Sequence, residues 1–358
     1  MTAPFRLYGA ELSPYSVKVR SYLRFKGVEF EWLQRSGARQ DEFARYAKLP
    51  LIPVLVDADD NAMQDSTPMI EAIERNYAEP SITPDEPSLA FVAALLEDYA
   101  DEWLNKAMFH YRWSYPEDQE SASRRIVEMI FEGAEAPEGM ADSVRTRMVG
   151  RLHHVGSSPD TAPIIEGSFN RAAAAVEQLL GSKPYLFGGR PSLADCGLAA
   201  QFGQLLSDPT PGAILRAQAP KLVAWVERMN APKVEGEFVR FSDVRDDLVE
   251  LLRDEVAGAY FIWAAANAAA VADDARGVAV EIAGHTFAQK PQRYAAKALA
   301  ELKKKRSGIE DDALAALLAE TGVDAVLLSA NAPQREAADD DGDVSDDDGD
   351  EGGDEGEE

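Results

Sequence analysis

The order of secondary-structure signals along the chain is the feature that most restricts its fold. In the first eighty residues, short apolar stretches typical of strands alternate with amphipathic stretches typical of helices. After residues 80–87, which are rich in proline, hydroxyl and acidic side chains, apolar residues recur at helical spacing over long stretches. This order predicts an α/β domain followed by an all-α domain.

The 358 residues divide into five predicted segments. Residues 1–80 form the α/β domain, 81–88 a linker and 89–243 the all-helical domain. Residues 244–332 combine helix and strand signals, which predicts a small α/β appendage. Residues 333–358 contain almost only acidic and small side chains, and we expect this tail to be disordered.

The excess of acidic residues argues against nucleic-acid binding, and the few cysteines and histidines argue against a metal site. The chain has 63 acidic and 36 basic residues, and 14 of the acidic ones lie in the tail at 336–358. A basic surface for nucleic acid is not expected, because phosphate contacts need clustered Lys and Arg. The single cysteine, Cys196, excludes an intrachain disulfide, and the four histidines lack zinc-ligand spacing. We predict no metal.

Two features of the sequence bear on location. The first residues lack the apolar core of a signal peptide, and the longest apolar stretch, at 259–272, is too short to span a bilayer. We therefore expect a cytoplasmic protein without a membrane segment.

The turn after the first predicted strand carries the strongest chemical signal. Ser13 precedes Pro14, which suits an N-cap followed by the first position of a helix. The hydroxyl proton of a capping serine remains free to bind an anion at the positive helix end. A thiol bound there would ionise more easily, since thiol pKa values fall near helix N-termini. The alternative is that Ser13 only caps the helix.

Three further motifs follow in order. Pro53 interrupts an apolar stretch at 51–56, which indicates an edge strand, a bulge or a cis turn. Asp65 and Ser66 precede an amphipathic stretch and suit a helix start. Ser192 and Asp195 have the spacing of a capping box.

With these motifs in this order, residues 1–235 resemble the cytosolic glutathione S-transferase family, in its serine type. The resemblance implies a thioredoxin-like N-terminal domain that binds glutathione and a helical domain that supplies most of the pocket for a second substrate. It also implies a homodimer.

The resemblance assigns roles to individual residues. Ser13 is the catalytic hydroxyl that would stabilise the glutathione thiolate. Tyr8 is a competing donor at the substrate pocket, or it packs beneath the turn. Ile52, before a Pro53 expected to be cis, would offer its backbone to the cysteinyl part of glutathione.

The remaining roles concern the two ends of glutathione and the second substrate. Asp65 would pair with the γ-glutamyl ammonium, while Ser66 and the helix N-terminus suit its carboxylate. Lys48 would meet the glycine carboxylate, or it is a surface residue. Three aromatic side chains at the end of the first long helix line the substrate pocket or belong to the core: Phe109, Tyr111 and Trp113.

Two functions follow from these assignments. In the first, the protein activates glutathione as a thiolate for attack on a small hydrophobic electrophile, by conjugation, isomerisation or reductive cleavage. In the second, the transferase fold is a non-catalytic binding or assembly module that uses its appendage and acidic tail. Ser13 is essential only in the first.

Overall fold

The computed structural model describes residues 5–329 of the chain, so the predicted acidic tail at 333–358 lies outside the described residues. The N-terminal part is a four-stranded sheet whose strands are β1 (Phe5–Gly9), β2 (Phe30–Gln34), β3 (Val54–Val56) and β4 (Ala62–Gln64). Its helices are α1 (Pro14–Lys26), α2 (Gln40–Ala44) and α3 (Ser66–Asn76).

The strand order is β2-β1-β3-β4, with β1 parallel to β2 and the other two pairs antiparallel. Because β1, α1 and β2 form a crossover unit with two antiparallel strands beside it, this part of the chain has the thioredoxin-like arrangement. Gly27 ends α1 with φ +66°, a left-handed conformation that suits glycine after a helix.

The two faces of the sheet pack on different side chains. Leu7 and Leu55 belong to the main core with α1 and α3. Tyr8 and Val54, which point the other way along their strands, form a small second cluster with Phe43 of α2. Successive side chains of β1 therefore pack into hydrophobic clusters on opposite faces of the sheet.

The second part is all-helical. Its elements are α4 (Pro87–Tyr99), α5 (Asn105–Ser114), α6 (Pro116–Phe131), α7 (Met140–Gly150), α8 (Ala162–Leu180), α9 (Leu193–Ser207), α10 (Pro209–Gln218), α11 (Pro220–Arg228) and α12 (Phe241–Val244). A π-helical segment, Ala100–Leu104, joins α4 to α5 without a break. Proline stands in the first turn of five of these helices, where its missing N–H costs no hydrogen bond.

Helix α9 lies at the centre of this part and packs on both α1 and α4. The predicted capping box at its start is confirmed. The buried Asp195 carboxylate accepts the Ser192 N–H at 2.8 Å and the Trp225 indole N–H of α11 at 2.9 Å. One side chain thus fixes the start of α9 and joins it to α11.

Residues beyond α12, which we call the extension, begin with a continuous helix, Asp246–Ala272. This helix contains a π-helical segment, Leu251–Tyr260, and ends as α13 (Phe261–Ala272). A hairpin of β5 (Val278–Ile282) and β6 (His285–Gln289) follows. The last elements are α14 (Arg293–Ser307), α15 (Asp312–Thr321) and α16 (Asp324–Leu327).

The extension helix is longer than the apolar stretch that the sequence indicated. Its 27 residues have a mean hydropathy of 1.2 in the most apolar window, so by length and composition it could cross a membrane. Half of that window is buried inside the protein, and the buried Glu255 pairs with Arg171 of α8 at 2.6 Å. Such burial is typical of a core helix.

The extension shares its core with the rest of the molecule. The Trp103 ring lies 5.8 Å from the Trp263 ring and 5.3 Å from the Phe287 ring, measured between centroids. The main core, which is distinct from the small cluster around Tyr8, is one contiguous set of buried apolar side chains from Leu7 in β1 to Leu327 in α16. The extension is therefore integrated with both preceding parts.

Candidate active site

Strand register brings three segments to one end of the sheet. Val54 of β3 pairs on one side with Tyr8, near the end of β1, and on the other with Gln64, the last residue of β4. Because neighbouring strands lie about 4.8 Å apart, the residues after β1, before β3 and after β4 are neighbours. These residues are the Ser13 turn, Ile52–Pro53 and Asp65–Ser66.

Ser13 is the N-cap of α1, as predicted. Its backbone is extended, and its Oγ accepts the Ser16 N–H at 3.3 Å. This bond uses a lone pair of the hydroxyl and leaves its proton available for donation. Ser13 is partly exposed, so an anion can reach it at the positive end of the helix.

Two side chains of the helical domain hold the turn that contains Ser13. Arg112 of α5 donates to the Leu12 carbonyl at 3.0 Å, and Gln204 of α9 donates to the Glu11 carbonyl at 2.8 Å. Arg112 is itself buried and pairs with Asp208 at 2.8 Å. Nothing in the local sequence around either residue indicated this role.

The Ile52–Pro53 peptide bond is cis, as the sequence analysis expected. In residues 5–329 the N–H and C=O groups of Ile52 have no backbone hydrogen-bond partner. The Gln64 side chain holds the preceding loop, because it accepts from the Lys48 N–H at 3.1 Å and donates to the Leu51 carbonyl at 2.8 Å. The Lys48 side chain is exposed. Gln64 directly precedes Asp65, but its role was not predicted from the sequence.

Asp65 has a strained backbone at the start of α3. Its φ of +83° is rare for a residue other than glycine and marks a constrained position. The carboxylate does not cap α3; it accepts instead from the Tyr294 hydroxyl of α14 at 2.7 Å. The Ser66 hydroxyl is buried next to the Lys18 ammonium, at 3.4 Å.

Lys18 is a buried cation beneath this end of the site. Its side chain is fully buried, and its ammonium contacts the carboxylates of Glu97 and Asp101, the latter at 2.6 Å. Burial alone would lower the pKa of Lys18, but the two carboxylates raise it above its usual range. The ion pairs link α1 to α4 and the π-helical segment behind Ser66.

Tyr8 lies in the core, which corrects the prediction that it lines the pocket. The side chain is fully buried in the second cluster and donates to the Glu42 carboxylate at 2.6 Å. Burial and that carboxylate raise the pKa of the Tyr8 hydroxyl above its usual range. The Tyr8 hydroxyl is therefore already hydrogen-bonded to Glu42, on the sheet face opposite α1 and α3.

The three predicted aromatic residues differ in position. Tyr111 and Trp113 are core side chains with 2% and 1% exposure, so their assignment to the pocket is corrected. Phe109 is partly exposed. It shares one face of α5 with Asn105, which donates to the Tyr15 hydroxyl at 3.1 Å, and with Arg112. Of the three, Phe109 is the partly exposed one, and its helix face meets the Ser13 turn.

Two clefts lie near the candidate site, and neither is lined by Ser13 or Phe109. The larger, of about 800 Å³, is lined by residues of α1, α6, α9 and α11 and includes Leu12 and the buried Cys196. The smaller, of about 160 Å³, lies between α3, α4 and α14 and includes Asp65. Within residues 5–329, no group of three or more His, Cys, Asp or Glu side chains is arranged to hold a metal ion.

Family models match both of the first two parts of the chain. The model for the glutathione S-transferase N-terminal domain matches residues 7–81. The model for the glutathione S-transferase C-terminal domain matches residues 142–228. Both matches precede the extension.

Curated proteins and solved structures are also similar to this chain. The chain is 26% identical over 226 residues to an isoprene-epoxide–glutathione S-transferase of a Rhodococcus species, which covers 61% of this chain and 92% of that protein. It is 28% identical over 238 residues to glutathione S-transferase 3 of Zea mays, covering 64% and 90%. A Methylobacterium radiotolerans glutathione S-transferase, solved with glutathione sulfonate, has a TM-score of 0.43 at 21% identity and covers 66% of this chain and 99% of that one.

Proposed function

Because this chain belongs to the cytosolic glutathione S-transferase family, we propose that it activates glutathione at Ser13 and directs the thiolate at a small hydrophobic electrophile. Family membership implies glutathione as the cosubstrate. The role of Ser13 and the class of electrophile are our proposals. They rest on the geometry around the Ser13 turn.

The observation that supports this proposal is the convergence of three segments at one end of the sheet. Val54 lies between Tyr8 and Gln64, so the Ser13 turn, the cis peptide at Pro53 and the start of α3 are neighbours. An extended tripeptide along these segments would have its central thiol near Ser13 and its γ-glutamyl end at Asp65.

Each part of glutathione has a chemical counterpart in this arrangement. The unpaired backbone of Ile52 suits the cysteinyl amide in the way that a strand edge binds an extended peptide. Asp65 offers a carboxylate to the γ-glutamyl ammonium, and Ser66 begins a helix whose N-terminus suits the carboxylate. Lys48, exposed on the loop before Pro53, is our proposal for the glycine carboxylate.

The reaction needs a thiolate, which the start of α1 favours. The Ser13 hydroxyl proton and the partial positive charge of the helix both stabilise an anionic sulfur. The Rhodococcus relative is named for an epoxide, so an epoxide is the electrophile to test first. The sulfur would attack a ring carbon and form the C–S bond as the C–O bond breaks. The resulting alkoxide would take a proton from water.

The exposed part of Phe109 is our proposal for a wall of the electrophile pocket, because its helix face meets the turn at Leu12 and Tyr15. We also propose that the protein acts in the cytoplasm as a homodimer, which the family resemblance implies. A molar mass near twice the 39.0 kDa of one chain is the expected result in sedimentation.

Glutathione binding by calorimetry, together with turnover of an epoxide, tests the proposed function. We expect the full chain to bind glutathione and to form the thioether product. Ser13→Ala should retain binding and lose most of the turnover. Failure to bind glutathione at millimolar concentration would contradict the enzyme proposal and favour the non-catalytic module.

A further inference from the structure

Helix α14 of the extension contacts α3 and the residue before it, Asp65. The Tyr294 hydroxyl donates to the Asp65 carboxylate at 2.7 Å. Three turns further along α14, the Lys305 ammonium pairs with the Glu71 carboxylate of α3 at 2.8 Å. The two contacts lie at opposite ends of the same groove, so α14 lies alongside the start of α3.

The 160 Å³ cleft between these helices is strongly acidic. Its lining includes the carboxylates of Asp65, Glu97, Asp98, Asp101 and Glu102, against the two ammonium groups of Lys297 and Lys305. Burial keeps several of these carboxylates from ionising freely; it raises the pKa of Asp101 to about 6.

One buried oxygen of Asp101, a residue that lines the cleft, has no partner in the described part of the chain. Asp101 is 8% exposed, its Oδ2 contacts Lys18 at 2.6 Å, and its Oδ1 has no hydrogen bond within the described residues. A buried acceptor without a donor costs free energy, so this position favours a ligand that donates hydrogen bonds. A positively charged donor also balances the surrounding carboxylates.

We propose that α14 forms the outer wall of the site for the γ-glutamyl end of glutathione, and that Tyr294 is the positioning residue for Asp65. The inference rests on the proposed function. The ammonium group enters the cleft between Asp65 and Asp101, and the γ-glutamyl carboxylate lies toward the start of α3 and Lys297. The site thus includes a helix from outside the two transferase domains.

Tyr294 acts through Asp65 rather than on the reacting sulfur. The Asp65 carboxylate does not bond to its own helix, and the Tyr294 hydroxyl is its hydrogen-bond donor in the described residues. Removing that hydroxyl leaves the carboxylate free to rotate, so its orientation toward the ammonium is lost. Residue Tyr294 is 52% exposed, so the loss of its hydroxyl opens no core cavity.

The test compares two ligands on matched variants of the full chain. The ligands are glutathione and glutaryl-cysteinylglycine, which is the same tripeptide without the ammonium group. For Tyr294→Phe we expect about fivefold weaker glutathione binding, the size of one hydrogen bond, and unchanged binding of the glutaryl compound. Tyr46→Phe is the control, because it removes a tyrosine hydroxyl that donates to another aspartate, Asp60, at 3.1 Å.

A second pair of variants tests the wall itself. Ala298 lines the cleft, while Ala296 on the same helix does not. Ala298→Leu should fill the cleft and weaken glutathione binding about tenfold, and Ala296→Leu should leave it unchanged.

The outcomes separate the two proposals. A wild-type chain that binds no glutathione overturns the proposed function and this inference with it. If wild type binds but Tyr294→Phe binds glutathione equally well or more tightly, the proposed function stands and the positioning role is wrong. If Tyr294→Phe weakens the binding of glutathione and of glutaryl-cysteinylglycine equally, the positioning role is also wrong, since the effect would not depend on the ammonium group.

Discussion

Asp98 shows how burial alters the chemistry of a single side chain. It is 9% exposed and accepts the Tyr260 hydroxyl at 2.6 Å. Burial, assisted by the neighbouring Glu97 and Asp101 carboxylates, raises the pKa of Asp98 from 3.8 to about 7, although Tyr260 and Lys305 oppose the rise. The folded protein therefore holds a proton that the unfolded chain releases near pH 4.

This raised pKa gives a prediction for stability. The contribution of Asp98 is fully present below about pH 4 and is lost as pH rises through about 7. Relative to Asp98→Asn, wild type should lose about 1.4 kcal/mol of unfolding free energy per pH unit between these limits. Urea unfolding from pH 4.5 to 6.5 measures the difference. Asp254→Asn, at an exposed carboxylate of the extension helix, is the control, and parallel pH profiles for wild type and Asp98→Asn would contradict the prediction.

Individual site residues differed in how far the sequence could indicate them. Ser13 was predictable because an N-cap leaves its signal in adjacent residues, whereas the cis bond at Pro53 was expected only from the family resemblance. Lys18 was not predictable, since its partners Ser66 and Asp101 are 48 and 83 positions away. Its role exists only after α1, α3 and the π-helical segment have packed together.

Gly9 determines how closely β1 and α1 approach each other at the Ser13 turn. A Cβ at this position would lie 2.6 Å from a ring carbon of Trp32 and 2.9 Å from the Cβ of Ser16. Both distances are too short, so either β2 or the first turn of α1 would have to move.

We therefore expect Gly9→Ala to destabilise the protein by about 1–3 kcal/mol, as overpacking does. Because the shifted turn contains Ser13, glutathione binding should weaken as well. Thermal unfolding and calorimetry measure the two effects. Gly150→Ala, where the added Cβ meets nothing within 4 Å, should leave both unchanged. Wild-type behaviour of Gly9→Ala would show that the turn tolerates the extra group.

At the level of elements, periodicity predicted the long helices and several strands but missed β4 and β6. Strand β4 has only three residues, none of them fully buried, and it exists because it pairs with β3. Strand β6 shows three exposed side chains among its five and pairs with β5. Neither pattern is distinguishable from a loop until its partner strand is known.

The main core of the molecule runs through all three parts of the described chain, although the sequence divides into several segments. Trp263 of the extension is 1% exposed and packs on Trp103 of the π-helical segment. The sequence indicated the order of these segments. It could not indicate that α14 reaches Asp65, because that contact joins residues 229 positions apart.

A shared core predicts that the extension unfolds together with the transferase domains. Hydrogen exchange at increasing denaturant should give the same opening free energy for the protected amides of α4 and of the extension helix. Separate unfolding of the extension at lower denaturant would contradict this, and would mean that the wall formed by α14 opens independently of the site.

The thiol pKa of bound glutathione is the most direct test of the central claim that Ser13 activates the cosubstrate. It is measured by the thiolate absorbance of the saturated complex as a function of pH. We expect a pKa at least about one unit below that of free glutathione, raised by Ser13→Ala and unchanged by Ser16→Ala, whose buried hydroxyl has no hydrogen-bond partner in the described residues. The same pKa in wild type and Ser13→Ala would contradict the claim and leave Ser13 as a helix cap.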